Sequence, residues 1–178
     1  MPQCAGADLS RTDWQNANLA GVDFTDADLS GADLRGADLR GAILRGAVLV
    51  DTRIDNSTQL DPKWRVVWSV VNEPEAVLDL QYADLQGANL WGANLAQRDL
   101  RYANLEGANL SQANLIGADL RNAQLNWANL SGASLFQATL DGVQMQWANL
   151  SDANLRQATL QNVDARGVWL QNTNLEQA

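Results

Sequence analysis

The chain has 178 residues, of which 46% are hydrophobic, so it is able to bury a core. Its net charge is −9, and Asp and Glu outnumber Lys and Arg by 21 to 12. This balance argues against a phosphate-binding surface, so no direct nucleic-acid binding is expected. With no histidine and a single cysteine, the chain lacks the commonest general base, the commonest zinc ligand and any internal disulfide. We therefore expect no cofactor, no metal and no enzymatic activity.

The N-terminal residues Met1, Pro2, Gln3 and Cys4 do not form a basic segment followed by an apolar run, so no signal peptide is expected. No stretch approaches the roughly 18 continuous apolar residues of a membrane span. The composition therefore predicts a cytoplasmic protein without a membrane segment.

A five-residue repeat fills the first part of the chain, as in AGADL, SGADL and RGADL. Its large apolar residue, the central position, falls at 9, 14, 19 and onward to 54, and the small position two residues earlier is usually Ala. All 13 glycines of the chain lie at the corner position, two residues after a centre. Glycine there indicates a tight turn with positive φ. Residues two apart in an extended piece share a face, so the central and small residues point inwards.

The same repeat resumes after an insert, with centres at 80, 85, 90 and onward to 175. A five-residue extended piece cannot form a sheet alone, but coils stacked ~4.8 Å apart pair it above and below. The sequence therefore predicts an all-β solenoid with an axis of Leu and Ala. We expect a first block at 1–56, an inserted loop and helix at 57–78, and a second block at 79–178, together forming one continuous solenoid.

The repeat A-[DN]-L-x-x resembles that of the pentapeptide-repeat proteins over most of the chain, and the K-W-x-x-V-W motif of the insert, at 63–68, resembles inserts in members of the cyanobacterial type. The resemblance implies a right-handed quadrilateral β-helix with four repeats, or 20 residues, in each coil. It also implies that residues 20 apart stack directly on each other.

The insert predicts one short amphipathic α-helix at 61–72. Asp61 followed by Pro62 is typical of a helix start, and Pro74 ends the run. The side chains of Trp64, Val67, Trp68 and Val71 would then share one face. This helix either covers an open edge of the solenoid or docks a partner.

The stacking rule predicts columns on the surface of the second block. Asn89, Asn109, Asn129 and Asn149 form an amide ladder, and Asp79, Asp99 and Asp119 run beside Arg101 and Arg121. A candidate interaction surface comprises the outward apolar residues Ile116, Phe136, Trp127, Trp147 and Trp169, with the Ile116 and Phe136 stripe as its better part. Trp127 is expected to stack on Trp147.

Four residues mark irregular places. Arg98 occupies a small inward position, so we expect a local bulge and a guanidinium that reaches water or a carboxylate such as Asp79 or Asp99. Cys4 lies at a central position and is interpreted as a buried small hydrophobe. Trp14 is expected to cover the N-terminal end. Ala165 stands where Leu is expected, so the C-terminal coil is under-filled, and a homodimer is expected there, with fraying as the alternative.

These features favour a non-enzymatic structural or protein-interaction solenoid with an unknown protein partner. The alternative comes from the resemblance, since some pentapeptide-repeat proteins bind gyrase-like topoisomerases in place of DNA. Charge density argues against it here: a solenoid of ~36 Å would replace duplex DNA carrying ~21 negative charges. The chain carries only −9, spread evenly over its two blocks.

Overall fold

A computed structural model describes residues 4–76 and 78–178. The N-terminal expectation for Met1, Pro2 and Gln3 lies outside the described residues, as does Val77 of the insert. The chain divides into two compact units, Met1–Glu73 and Pro74–Ala178, which we call unit 1 and unit 2. The described residues contain one α-helix, α1, at Pro62–Asn72 in unit 1.

Both units are built from coils of four repeats. Each repeat contributes one bridged residue, directly before its centre, and parallel bridges join residues 20 apart. The ladder of unit 1 begins at Asp8↔Asp28, and that of unit 2 runs from Asp84↔Asn104 to Asn154↔Asn174. Because a corner follows every bridged residue, no longer strand forms within the described ranges. The result is a quadrilateral β-helix in each unit.

Main-chain hydrogen bonds explain why a five-residue repeat makes a side of this coil. Within a repeat, the N–H of Ala113 donates to the carbonyl of Leu110 at 3.0 Å and closes the turn. Between coils, Leu110 donates to the carbonyl of Asn129 at 2.7 Å, and Asn129 donates to that of Ala108 at 2.9 Å. Backbone groups buried in the wall thus find partners, as buried main chain requires.

Positive φ values at the corner positions confirm the turns that the glycines predicted. Gly107, for example, has a φ of +63°. Within residues 4–76 and 78–178, seventeen residues other than glycine adopt the same conformation, among them Trp127 at +63° and Trp147 at +61°. An L residue pays about 1–2 kcal/mol in this region because its Cβ approaches the following carbonyl oxygen.

The axis of each unit consists of the predicted inward residues. In unit 2 the central residue Leu110 has no exposed surface, and the small residue Ala108 is 1% exposed. Cys4 occupies its predicted central position, with its N–H bonded to the carbonyl of Asp23, but it is only half-buried. Trp14 also lies at a centre and is half-buried. Burial falls off again in the last repeats, where Leu170 and Leu175 are 44% and 43% exposed.

The five-residue spacing is interrupted by one extra residue inside the ladder of unit 1. Asp38 bridges to Gln59, 21 residues away. The extra residue lies in the turn after Asp55, whose carboxylate accepts hydrogen bonds from the N–H groups of Ser57 and Thr58 at 2.9 and 3.0 Å. The ladder therefore extends to Gln59, beyond the boundary predicted at residue 56.

Helix α1 lies on the last coil of unit 1. Its buried residues are Trp64, Val67 and Val70, whereas Trp68 and Val71, expected on that face, are half-buried. Trp68 donates from Nε1 to the carbonyl of Thr52 at 3.0 Å. Asn72 likewise donates to the carbonyl of Leu49 at 3.0 Å, so side chains of the helix satisfy main-chain groups of this coil. These contacts support the interpretation of α1 as a structural cover.

Arg98 differs in part from its prediction. The backbone does not bulge: Asp99 still bridges to Asp119, and Asp119 still donates to the carbonyl of Arg98 at 3.0 Å. The guanidinium does reach outwards, but it donates to the carbonyl of Pro74 at 2.8 Å rather than to a carboxylate. Directing the long Arg98 side chain out of the axis costs less free energy than breaking the β-ladder.

Candidate interaction surface

The two tryptophans Trp127 and Trp147 form an exposed stacked pair within the predicted surface. They occupy equivalent corner positions in successive coils and are 62% and 52% exposed. Their rings stack as predicted, with centroids 5.5 Å apart and planes inclined by 12°. Such a pair adds about 0.5–1.5 kcal/mol beyond the area that it buries.

The glycines that precede and follow the two tryptophans in the same column determine which end of the stack is covered. The corner column reads Gly87, Gly107, Trp127, Trp147 and Gly167 along the coils of unit 2. The ring of Trp147 lies over Gly167, where a Cβ atom would be 2.5 Å from Cε3 of the indole. At Gly107 a Cβ atom would meet no heavy atom within 4 Å, its chain neighbours Glu106 and Ala108 apart. The stack is therefore closed at its Trp147 end and open at its Trp127 end.

Trp169 continues the aromatic surface onto the next face. It bridges to Asn149 and follows Gly167 by two residues, so it lies next to the corner over which Trp147 leans. Its side chain is 63% exposed. We call Trp127, Trp147 and Trp169 the aromatic corner.

Ile116 and Phe136 do not form the exposed stripe that their phase predicted. Both are half-buried. The guanidinium of Arg156, one coil further on, lies 5.8 Å from the ring centroid of Phe136, and Arg156 also pairs with Glu176 at 3.4 Å. This column is already covered by the chain's own side chains, so it is the weaker candidate.

A second stacked pair was missed by the sequence analysis. Tyr82 and Tyr102 have centroids 4.9 Å apart and planes inclined by 6°, and they are 67% and 44% exposed. The signal was present, because both residues are aromatic, lie at corner positions and are separated by 20 residues. Trp91, 60% exposed on the face that carries Trp169, was missed as well.

The predicted amide ladder is present. Asn109 donates to Asn89 at 3.3 Å, Asn129 donates to Asn109 at 3.5 Å, and Asn149 donates to Asn129 at 3.3 Å. The same side chains accept from the turn that follows, as Asn109 does from the N–H of Ser111 at 3.2 Å. These amides are engaged in holding coils and turns together.

Within the described residues, five aspartates pair with the arginine two residues later: Asp33, Asp38, Asp99, Asp119 and Asp164. Asp99 accepts from Arg101 at 2.6 Å, and this hydrogen bond lowers the pKa of Asp99 to about 2. Asp119 pairs in the same way with Arg121 at 2.6 Å. In unit 1, the buried Asp33 accepts from Arg35 at 2.6 Å and lies 3.2 Å from Arg53, and its pKa is also about 2. These pairs neutralise part of the acidic surface locally.

Neither a metal-binding cluster nor a membrane-spanning helix is found among the described residues. They contain no group of three or more His, Cys, Asp or Glu side chains placed to hold a metal ion. Over the same ranges, no helix is both long and apolar enough to cross a membrane.

Comparisons with known proteins agree with the geometry. The family described as Pentapeptide repeats matches in 8 copies, over residues 3–41, 23–58, 79–115, 99–140 and 138–177. A pentapeptide-repeat protein from the thylakoid lumen of Arabidopsis thaliana is 32% identical over 51% of this chain, with a TM-score of 0.50. That match spans 63% of the Arabidopsis protein. No curated protein matches the chain.

Two further solved structures resemble most of the chain. HetL from the cyanobacterium Nostoc sp. strain PCC 7120, involved in the regulation of heterocyst differentiation, is 31% identical over 97% of this chain and 74% of its own, with a TM-score of 0.35. QnrB1, a plasmid-mediated fluoroquinolone resistance protein, is 17% identical over 98% of this chain and 89% of its own, with a TM-score of 0.29.

The chain belongs to the pentapeptide-repeat family. Its fold is the right-handed quadrilateral β-helix with one short α-helix, and the predicted fold class is confirmed.

Proposed function

We propose that the protein is a non-enzymatic interaction solenoid and that the aromatic corner of unit 2 contacts a protein partner. The observation that carries this proposal is the exposure of the stacked tryptophans Trp127 and Trp147, 62% and 52%. Both lie at positions where the same column elsewhere uses glycine. Positive φ is common to the corners of both units, so it is the large exposed rings that point to a role other than folding.

The energetics favour the same conclusion. Two tryptophans at positive φ cost about 1–2 kcal/mol each, whereas their stacking returns only about 0.5–1.5 kcal/mol. Glycines at both positions would form the turn without strain. Exposed tryptophan, by contrast, is among the residues that contribute most to protein–protein binding.

A non-enzymatic role fits the side chains that are present. The chain has no histidine, and Asp33, Asp99, Asp119 and Asp164 are held by arginines of their own repeats. A general base needs a free carboxylate or imidazole near its substrate. Paired carboxylates with lowered pKa values are poor candidates.

The test is affinity capture from a native lysate of the source cells with three forms of the intact chain. A double variant, Trp127→Gly with Trp147→Gly, removes the stack and leaves a corner residue that this column already uses. Tyr82→Gly with Tyr102→Gly is the matched control, because it removes the other stacked pair from equivalent corner positions. We expect the tryptophan variant to lose a captured protein that the tyrosine variant keeps. Identical capture by all three forms would contradict the proposal.

DNA mimicry at a gyrase-like topoisomerase is less well supported. It needs a continuous unpaired acidic surface, and the Arg–Asp pairs interrupt such a surface in both units. A gyrase supercoiling assay decides between the two functions. Inhibition or protection of gyrase at low micromolar protein, weakening as salt rises, would favour mimicry.

We also propose that a second copy docks on the C-terminal coil of unit 2. The exposed central residues Leu170 and Leu175 and the outward Trp169 support this. Sedimentation of the intact chain and of a Leu170→Arg variant at ~100 μM tests it, since self-association depends on concentration. Dimers that Leu170→Arg abolishes are the expected result, and monomers of both chains would exclude the dimer.

A further inference from the structure

The open end of the tryptophan stack provides a free aromatic face. Trp147 covers one face of Trp127, and the opposite face looks towards the preceding coil. That coil carries Gly107, whose N–H donates to the carbonyl of Asn126 at 2.9 Å, so the turn at Gly107 lies directly against the turn at Trp127. Gly107 has no side chain, and apart from its chain neighbours Glu106 and Ala108 no residue has a heavy atom within 4 Å of where its Cβ would be, so no other residue fills the space beside Trp127.

The residue before Gly107 in this turn is acidic. Glu106 is half-buried, and its N–H donates to the Asn104 side chain at 3.2 Å. No ion pair involves Glu106 anywhere in residues 4–76 and 78–178. The turn next to Trp127 therefore carries an acidic residue without an arginine partner, and both a carboxylate and an aromatic face attract cations.

The cations of unit 2 are committed elsewhere. Arg98 donates to the carbonyl of Pro74. The other four arginines form ion pairs: Arg101 with Asp99, Arg121 with Asp119, Arg156 with Glu176, and Arg166 with Asp164. Arg166, which precedes Gly167 at the closed end of the stack, is held by Asp164 at 2.8 Å. The open end thus lacks a cation from its own unit, whereas Phe136 already has Arg156 over its ring.

The tyrosine stack differs in the charge beside it. Tyr102 follows Arg101, a cation that pairs with Asp99. A second cation approaching that corner would meet this positive charge. No arginine precedes Trp127 or Trp147, which follow Asn126 and Gln146. The two stacked pairs are alike in position and exposure, but only the tyrosine pair has a cation in the residue directly before one of its rings.

We propose that the free face of Trp127 and the carboxylate of Glu106 bind an arginine side chain of the protein partner. A planar guanidinium can stack on an indole and donate to a carboxylate at the same time, which an ammonium group cannot do. The net charge of −9 favours a basic partner segment through long-range attraction. This inference rests on the proposed function and adds the chemistry that the corner recognises.

The probe is the peptide acetyl-Gly-Arg-Gly-amide, titrated into the ¹⁵N-labelled intact chain. The indole N–H resonances report on each tryptophan separately. We expect the resonance of Trp127 to move most, with millimolar affinity. Trp127→Gly should abolish binding, and Glu106→Gln should weaken it about 2–5-fold, the factor that corresponds to an exposed cation–π or charge contact.

Two controls separate this site from general attraction to an acidic protein. The same peptide with citrulline keeps the shape of the arginine and removes its charge. Asp152→Asn removes one exposed negative charge from another corner. Equal binding of the citrulline peptide, equal loss of affinity in Asp152→Asn and Glu106→Gln, or no shift of Trp127 up to about 20 mM peptide would each overturn the inference.

Failure of this inference is distinguishable from failure of the proposed function. If the tryptophan variant loses a captured partner but Glu106→Gln retains it at full strength, the corner binds a protein by other chemistry. If the peptide binds as expected while capture is unchanged in the tryptophan variant, the corner is a guanidinium site but not the partner's site. If the tryptophan variant instead abolishes self-association, the occupant is a second copy, and the inference is wrong.

Discussion

At the scale of single residues, position within the repeat decides what a side chain can be. Leu110 has no exposed surface, and its neighbour Asn109 is half-buried on the outside of the same wall. The two residues differ by one step along an extended chain, which places them on opposite faces. Identical changes in polarity should therefore have very different effects at adjacent positions.

Leu110→Asp is expected to unfold unit 2, because it places an unpaired charge in an axis too narrow to admit water. Asn109→Ser should cost only about 1 kcal/mol, since it removes amide hydrogen bonds at the surface and keeps a side-chain oxygen for the turn. Thermal unfolding followed by circular dichroism measures both. A folded Leu110→Asp protein with an unchanged melting temperature would show that the inward and outward assignment is wrong.

Corner glycines are a second case in which neighbours decide the outcome. Gly107→Ala and Gly167→Ala both place a Cβ at positive φ, +63° and +70°, so each should lose about 1–2 kcal/mol. Gly167→Ala must also displace the ring of Trp147, so its loss should be larger. In a Trp147→Gly background, the excess should disappear. Urea unfolding of the single and double variants measures this, and an equal loss at both glycines would contradict the packing of Trp147 over Gly167.

At the scale of elements, α1 serves the backbone of unit 1 as well as its apolar surface. Its side chains bond to main-chain groups of the last coil of this unit. Asn72 accepts from the N–H of Asp51 at 2.7 Å and donates to the carbonyl of Leu49 at 3.0 Å. The helix thus covers this coil as a cap covers a repeat array.

Burial along α1 gives a matched pair of substitutions. Val67 is 1% exposed, whereas Val66 is half-buried. Val67→Ala should destabilise unit 1 by about 2 kcal/mol by leaving a cavity, and Val66→Ala should cost clearly less. Hydrogen exchange of amides 49–60 provides the readout, because loss of the cap should expose this coil first. Equal exchange in the two variants would be inconsistent with the observed packing of α1.

At the scale of the whole molecule, the paired carboxylates set the response to acid. Asp33, Asp99 and Asp164 have pKa values of about 2, each lowered mainly by a hydrogen bond from the arginine two residues later. In the unfolded chain, Asp titrates near 3.9. The folded state therefore favours the ionised form, and the resulting stability is complete above about pH 4 and is lost as pH falls towards 2.

The melting temperature should accordingly be constant above about pH 5 and fall between about pH 4 and pH 2. The Asp33→Asn variant should have a lower melting temperature above pH 5. Its melting temperature should also fall less steeply on acidification, since it has one paired carboxylate fewer. Thermal melts at constant ionic strength test this. A melting temperature that does not change between pH 5 and pH 2 would contradict the pairing.

Stacking explains why so much of the surface could be predicted. Once the period of five is joined to a coil of 20, the Asn ladder and the Trp127–Trp147 stack follow from residue numbers alone. The Tyr82–Tyr102 pair follows from the same rule and could have been found. The coverage of Phe136 by Arg156 could not, because it depends on the direction in which a long side chain leans.

The sequence by itself determined the repeat, the inward and outward phases, the glycine corners and the presence of α1. These features follow from the five-residue period, the turn-forming corner glycines and the polarity pattern, all of which recur in every repeat. Only the tertiary structure decided that the ladder continues to Gln59, that Arg98 leaves the axis towards Pro74, and that the tryptophan stack is open above Gly107 and closed over Gly167. Each of these outcomes depends on contacts between residues about 20 apart, where side-chain direction and the space left by a neighbouring coil decide what a local pattern cannot.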